Sequence, residues 1–294
     1  MSKYLINSVT EATTGRGKAY LRGQLYEPGG KSHKFVFWDP GSTKFKSGQV
    51  IDALTEDSEF AGEHQLNVKA ARVVDDDPGE LFLPRTSYSI DGLYEELNKF
   101  VAEITSEPLR KLLELAVIDP RWKRTPAAKQ IHHAVIGGLL EHVTNLCRLA
   151  YSLAVLYPKL KRDLLVTAAI LHDIGKQDEL SNGVTIEYTL DGEILGHIVI
   201  GLLRVDKWMD ELKFNDELRR TVRHLIISHH GSPQYGSPKS PMILEAQVFN
   251  NMDGIDANIG KITAAIEKAG PDKEWSDKVD WKDRFYLGPT GLEK

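Results

Sequence analysis

Near residue 75 the hydrophobic rhythm of this chain changes from a period of two to the period of a helix, and that switch limits what it can fold into. On the N-terminal side, Leu21 and Leu25 alternate with Tyr20, Arg22, Gln24 and Tyr26, and Lys34–Trp38 is a second β-rich run. Gln49-Val50-Ile51 and Gln65-Leu66-Asn67-Val68 supply shorter ones. Gly15-Arg16-Gly17, Pro28-Gly29-Gly30 and Pro40-Gly41-Ser42 separate them as turn clusters. About five short strands in so few residues predict a small barrel, the five-stranded OB-fold first. The acidic segment Asp75-Asp76-Asp77-Pro78-Gly79-Glu80 reads as the boundary. The expected organisation is an OB-like nucleic-acid-binding barrel over 1–74, a linker over 75–90, an all-α bundle over 91–270, and a tail over 271–294 that packs on the bundle.

In the second half, Leu93, Leu97, Val101 and Ile104 form one stripe, and Ser106 with Pro108 opens a helix that runs to Val117. Thr125-Pro126, an N-cap followed by proline at the first helical position, is expected to launch the long helix that carries His142. Further helices fit 163–174, 196–213, 215–230 and 241–269, with a short β-like excursion at Val184–Leu190.

Along these helices runs an ordered series: His142, His172-Asp173, His197, His229-His230, Asp253. Imidazole and carboxylate are the side chains that hold borderline divalent metals. Successive members are about 23 to 32 residues apart, too far for one finger-like loop, so the ligands must come one or two per helix into a bundle. Seven exceed the four that close a structural zinc, and they suit two metals with open positions. Taken alone, His142 reads as a core histidine, because it shares a stripe with Leu139, Leu146 and Leu153. His172-Asp173 does not. It ends the apolar run Leu164–Leu171, where a buried, unpaired carboxylate costs several kcal/mol and so needs a cation beside it.

Composition narrows the class. Hydrophobic content of 41% and charged content of 27% are those of a soluble globular protein. The single cysteine, Cys147, excludes an internal disulfide. No secretory pattern and no membrane-spanning run is evident, so the expected compartment is the cytoplasm without membrane association. Net charge is -5, but residues 1–74 carry ten Lys/Arg against eight Asp/Glu, leaving the remainder at -7.

His172-Asp173-Ile174-Gly175-Lys176, with His142, His197, His229-His230-Gly231, Glu245-Ala246, Asp253 and Asp256, resembles the HD metal-phosphohydrolase superfamily. With a small barrel in front, nearly the whole chain is similar to the YhaM-type 3′-to-5′ exoribonucleases. The resemblance implies that His142, His172, Asp173 and Asp253 hold one metal and that His197, His229 and His230 hold a second, with Asp173 bridging. It implies two divalent transition-metal ions, manganese before iron, cobalt or another. It also implies release of nucleoside monophosphates from single-stranded RNA, with single-stranded DNA and homo-oligomerisation left open. Asn250-Asn251-Met252 replaces a His-Tyr-Ala-like stretch of the family pattern.

Asp173, Lys176 and His133 are the catalytic candidates: Lys176 as a point charge on a phosphate oxygen one turn after Asp173, His133 as a proton donor or substrate contact. The basic run Arg121-Trp122-Lys123-Arg124, followed by Lys129, is expected at the mouth of the site, its cations on RNA. On the barrel, Tyr20, Arg22 and Tyr26 lie opposite Leu21 and Leu25 and suit sequence-tolerant base stacking. Trp38 is assigned to the core. Two rival readings stay open: a phosphohydrolase or phosphodiesterase for a small nucleotide, which has no use for the aromatic barrel face, and a single-strand-binding module, which has no use for seven ligands.

Overall fold

The structure, a computed structural model, describes residues 1–41, 44–60, 63–75, 77, 79–128, 135–181, 183, 185–269, 273–276, 278–279 and 284–287. The chain divides into two units, one of residues 1–87 with 181–187 and the other of 88–180 with 188–294. Each is described separately.

Five strands make the first unit: β1 (Ser2–Thr13), β2 (Ala19–Tyr26), β3 (Ser32–Phe37), β4 (Val50–Phe60) and β5 (Glu63–Val74). They close in the order β1-β2-β3-β5-β4. The parallel pair is β3 with β5, in register Phe35↔Leu66 and Phe37↔Val68, and β1 meets β4 antiparallel at Lys3↔Asp52. The two pairings that close the barrel are short, Ser2–Leu5 of β1 with β4 and Phe35–Phe37 of β3 with β5. This is the OB-like barrel expected. Tyr4, Ile6, Leu21, Leu25, Phe35, Phe37, Ile51, Leu66 and Val68 fill it.

β1 is the strand the sequence hid. Its alternation breaks where the register with β2 shifts between Ile6 and Ser8. Opposite the shift stands Gly23, and a Cβ there would lie 1.9 Å from the Ser8 carbonyl oxygen. Only glycine lets the two backbones approach so closely.

One core assignment is corrected. Phe37 takes the inward position at the end of β3, so pleating turns Trp38 the other way. Trp38 is 40% exposed, and its ring lies 4.6 Å from that of Tyr20. After β5 the chain does not run free: Phe82 is buried in a short 3₁₀ turn at Glu80–Phe82, and Lys3 reaches Asp77 at 3.0 Å.

The second unit is helical: α1 (Ile90–Ala102), α2 (Glu107–Val117), α3 (Gly138–Leu156), α4 (Arg162–Leu171), α5 (Lys176–Glu179), α6 (Leu190–Glu211), α7 (Asp216–Ile227) and α8 (Leu244–Ala269). Ser89, Thr189 and Asn215 cap α1, α6 and α7 by accepting from the backbone N–H of Gly92, Gly192 and Leu218. Every residue of α4 from Leu164 to Leu171 is buried, as its all-round apolar sequence requires.

The His142 helix does not start at Thr125. That hydroxyl bonds back to the Arg121 carbonyl at 2.8 Å, closing a 3₁₀ turn at Pro120–Lys123. Helix α3 begins at Gly138, behind Gly137 at φ 76°, a left-handed conformation that a right-handed helix cannot contain. Of the β-like excursion, the described residues show one bridge, Leu180 with Tyr188. In the tail, Trp275 bridges Tyr286. No helix among the described residues is long and apolar enough to cross a membrane.

Candidate metal centre

Three helices and the ends of two more bring the seven residues of the series together. His142 lies on α3 and Asp253 on α8; His172-Asp173 directly follows α4, and His229-His230 follows the Ser228 cap of α7. His197 arrives on α6 just after Gly196, whose φ of 73° breaks the helix into two segments. Gly175 lets α6 in: a Cβ there would sit 2.0 Å from the His197 carbonyl oxygen. A side chain at 175 would push His197 away from Asp173.

Each of the five imidazoles is held through Nδ1. His142 Nδ1 meets Asp256 at 2.7 Å and His197 Nδ1 meets Glu179 at 3.1 Å. His172 bonds the Ala169 carbonyl (3.0 Å), His229 the Ile226 carbonyl (2.7 Å) and His230 the Tyr235 carbonyl (3.0 Å). Carbonyls and carboxylates accept, so every Nδ1 carries a proton, and in the neutral ring it is Nε2 that presents a lone pair. These lone pairs converge in two groups. Nitrogen and oxygen atoms of His142, His172 and Asp253 lie within 4.8 Å of one another, and so do those of His197, His229 and His230.

Asp173 stands between the groups. Its Oδ2 is 3.3 Å from His172 Nε2, and its Oδ1 is 3.3 Å from His197 Nε2 and 3.7 Å from His229 Nε2. Asp173 Oδ1, His197 Nε2 and His229 Nε2 are buried and have no hydrogen-bond partner. Leaving such atoms unsatisfied costs about 1–3 kcal/mol each. A second measure concerns the other group. Two nitrogens each about 2.1 Å from one ion are about 3.0 Å apart at a right angle and about 3.4 Å apart at the tetrahedral angle. His142 Nε2 and His172 Nε2 are 3.3 Å apart. The donors present therefore fit divalent cations.

The charges agree. Burial works against ionising Asp173, but Lys176, His172 and His197 outweigh it and hold the carboxyl well below the usual range. Burial likewise opposes charge on Asp253, and the bond from His142 with the nearby His172 keeps it low. Burial and His172 push His229 well below an ordinary imidazole, so it stays a neutral donor, and burial lowers His230 too. His142 differs: burial opposes its charge, yet hydrogen bonds to Asp253 and Asp256 raise it to about 9. A cation must displace that proton to bind.

Other candidates go elsewhere. Lys176 donates to Asp173 Oδ2 at 2.7 Å and to the Ala127 carbonyl at 2.6 Å. Two cations of the basic run expected on RNA, Arg121 and Lys123, are engaged in ion pairs within the fold. Arg121 is bound to Asp119 and Asp178, Arg204 joins the same carboxylates, and Lys123 pairs with Asp91 at 2.7 Å over the Tyr94 ring. Its aromatic, Trp122, is fully buried with its indole N–H on the Ala116 carbonyl. Arg124 is exposed and also engaged in a contact. His133 and Lys129 lie outside the described residues. In the barrel unit Arg22 is exposed, and Tyr20 and Tyr26 are half-buried on the face opposite Leu21 and Leu25.

Two residues that orient ligands have no role in the sequence reading, although Asp256 stands in the motif that carries the resemblance. Glu179 and Asp256 orient His197 and His142; Asp256 sits three residues after Asp253 on one helix face, which is a readable signal, whereas Glu179 left none. Asn250, in the departing stretch, donates to the His229 carbonyl at 2.7 Å and so braces that histidine's backbone.

The HD domain family matches residues 139–258, which span α3 to α8. Over nearly its whole length the chain is similar to proteins named 3′-5′ exoribonuclease YhaM. One from Listeria monocytogenes serovar 1/2a is 30% identical over 97% of this chain and 94% of its own. One from Bacillus velezensis is 30% identical over 98% and 94%, and one from Bacillus licheniformis 31% over 94% and 90%. No solved structure matches. With an HD domain in the helical unit, a barrel before it and such likeness from end to end, the chain belongs to the YhaM exoribonuclease family, hydrolases acting on phosphodiester bonds.

Proposed function

We propose that this protein shortens single-stranded RNA from its 3′ end, releasing nucleoside monophosphates, with two divalent transition-metal ions of which manganese is the first choice. The observation that carries this reading is Asp173, one buried carboxylate whose two oxygens face different groups of histidines. His142, His172, Asp173 and Asp253 would hold one ion, and His197, His229, His230 and Asp173 the other. When bound, such a pair supplies Lewis acidity towards phosphate oxygens and makes water a nucleophile at neutral pH.

The chain's own residues prepare that chemistry. The Nδ1 bonds fix the orientation of five rings before anything binds, so little reorganisation remains once His142 gives up its second proton. Lys176 has three N–H donors and spends two on Asp173 and Ala127. The third is available to a phosphate oxygen, beside the carboxylate it steadies. Residues 1–74 would bind the strand, with Tyr20 and Trp38 as a stacked pair and Arg22 and Tyr26 along β2. Stacking on such rings is worth about 1–3 kcal/mol per base and tolerates any sequence. The activity for which the relatives are named, 3′-5′ exoribonuclease, supports RNA and the 3′ direction.

The test is purified protein with Mn²⁺ and end-labelled RNA and DNA single strands, resolved by product length, with a circular RNA alongside. A ladder shrinking from the 3′ end, with the circle intact, is expected. Degradation of the circle as fast as the linear strand would make this an endonuclease.

A further inference from the structure

Beside the metal centre, between α7 and α8, lies a turn that carries an exposed tyrosine. Tyr235 is 65% exposed and belongs to neither hydrophobic core. Its backbone, in contrast, is tied to the centre, because its carbonyl oxygen accepts from His230 Nδ1 at 3.0 Å. The turn is braced at each step. Tyr235 N–H donates to the Ser232 carbonyl at 2.9 Å and Gly236 N–H to the Pro233 carbonyl at 3.0 Å. Ser237 Oγ bonds the carbonyls of Ile227 and Lys239 at 3.0 and 2.9 Å. Gly236, at φ 85°, closes the 3₁₀ turn as no other residue does readily.

An exposed aromatic on a braced turn loses little conformational freedom when a planar ligand stacks on it. The turn's charge points to the kind of ligand. From Gly231 to Leu244 the sequence contains Gln234, Tyr235 and Lys239 but no aspartate or glutamate, in a chain whose net charge is -5. An aromatic, an amide and a cation, without a carboxylate, suit a planar group attached to an anion.

We propose that Tyr235 is a nucleobase-stacking residue for one of the two nucleotides that flank the phosphate at the metal centre. This rests on the nuclease reading above. It gives the helical unit its own hold on the end of the strand, indifferent to which base is there, apart from any binding by the barrel.

The test measures binding of single-stranded oligoribonucleotides to the full chain in EDTA, where nothing is cut. One strand has all its bases; the other lacks them at its last two nucleotides. Wild type should prefer the intact end by roughly 5- to 150-fold, the range equivalent to one stacked base. Tyr235→Ala should abolish the preference, and Tyr235→Phe should keep it, since the ring face is retained. Manganese content should be the same in all three, because His230 bonds the backbone carbonyl of residue 235, which each variant keeps. Equal loss on both strands, no loss on either, or loss in Tyr235→Phe would overturn the proposal. RNA shortened without any Tyr235-dependent preference sinks the stacking site alone. A Tyr235-dependent preference in a protein that never cuts RNA sinks the nuclease reading alone.

Discussion

Glu179 holds His197 twice: one carboxylate oxygen, Oε1, accepts from the backbone N–H of His197 at 2.9 Å and from its ring Nδ1 at 3.1 Å. The carboxylate is half of a Glu–His pair whose other end, Nε2, is one of the buried unpartnered atoms of the centre. Removing such a partner typically costs 10–100-fold in metal affinity. Glu179→Ala should therefore weaken one of two manganese sites by about that factor. Calorimetric titration of metal-free protein reads it as one isotherm step displaced and the other retained. Two unchanged steps would show that Glu179 merely packs there.

Asp119, Arg121, Asp178 and Arg204 form an ion-pair network that joins the Trp122 turn to α5 and α6. Burial works against the charge on Asp119, but its bonds to Arg121 and Arg204 hold its pKa at about 2, against about 3.9 in an unfolded chain. A depressed native value stabilises above the unfolded pKa, and that contribution fades as pH falls from about 4 towards 2. Asp119→Asn should lower stability at pH 7 by on the order of 2 kcal/mol, read as a lower melting temperature. The gap from wild type should narrow below about pH 4 and close as pH falls past about 2. A gap constant with pH would mean that the carboxylate's charge is not what matters.

The same network predicts what Arg121 does not do. Arg121→Lys loses the fork that grips Asp119 and Asp178, so thermal stability should drop while affinity for single-stranded RNA changes little. A steep loss of RNA affinity at unchanged stability would return Arg121 to the RNA contacts.

The barrel face offers a separate measurement. Tyr20→Ala with Trp38→Ala should weaken binding of a single strand by roughly 1–3 kcal/mol per ring removed. Hydrolysis of a small generic phosphodiester should be unaffected. Equal loss on both substrates would mean that the pair supports the barrel instead of contacting the strand.

What was legible in the sequence depended on whether a residue's role is carried by its own type. Histidine and aspartate at helix-length intervals announce their chemistry, and the structure brings all seven to one place. A basic run does not announce its partners. Arg121 and Lys123 looked free for RNA because Asp178 and Asp91, their counter-charges, lie far off in the chain. Glu179 was unreadable for the same reason: it meets His197 only because Gly175 admits α6. Trp38 turned on one step of strand phase, since pleating sends neighbouring residues to opposite faces. The start of α3 was misplaced because Thr125-Pro126 is a sound capping signal whose hydroxyl a nearer carbonyl, that of Arg121, captures.

The most direct test is the metal content of protein purified without chelator, wild type beside Asp173→Ala, with folding checked by far-UV circular dichroism. If one carboxylate serves two ions, wild type carries about two transition-metal ions per chain, as two-metal sites do, and the variant loses both. A single tightly held zinc in the wild type, or a variant that keeps one ion at full occupancy, would contradict a centre built around Asp173.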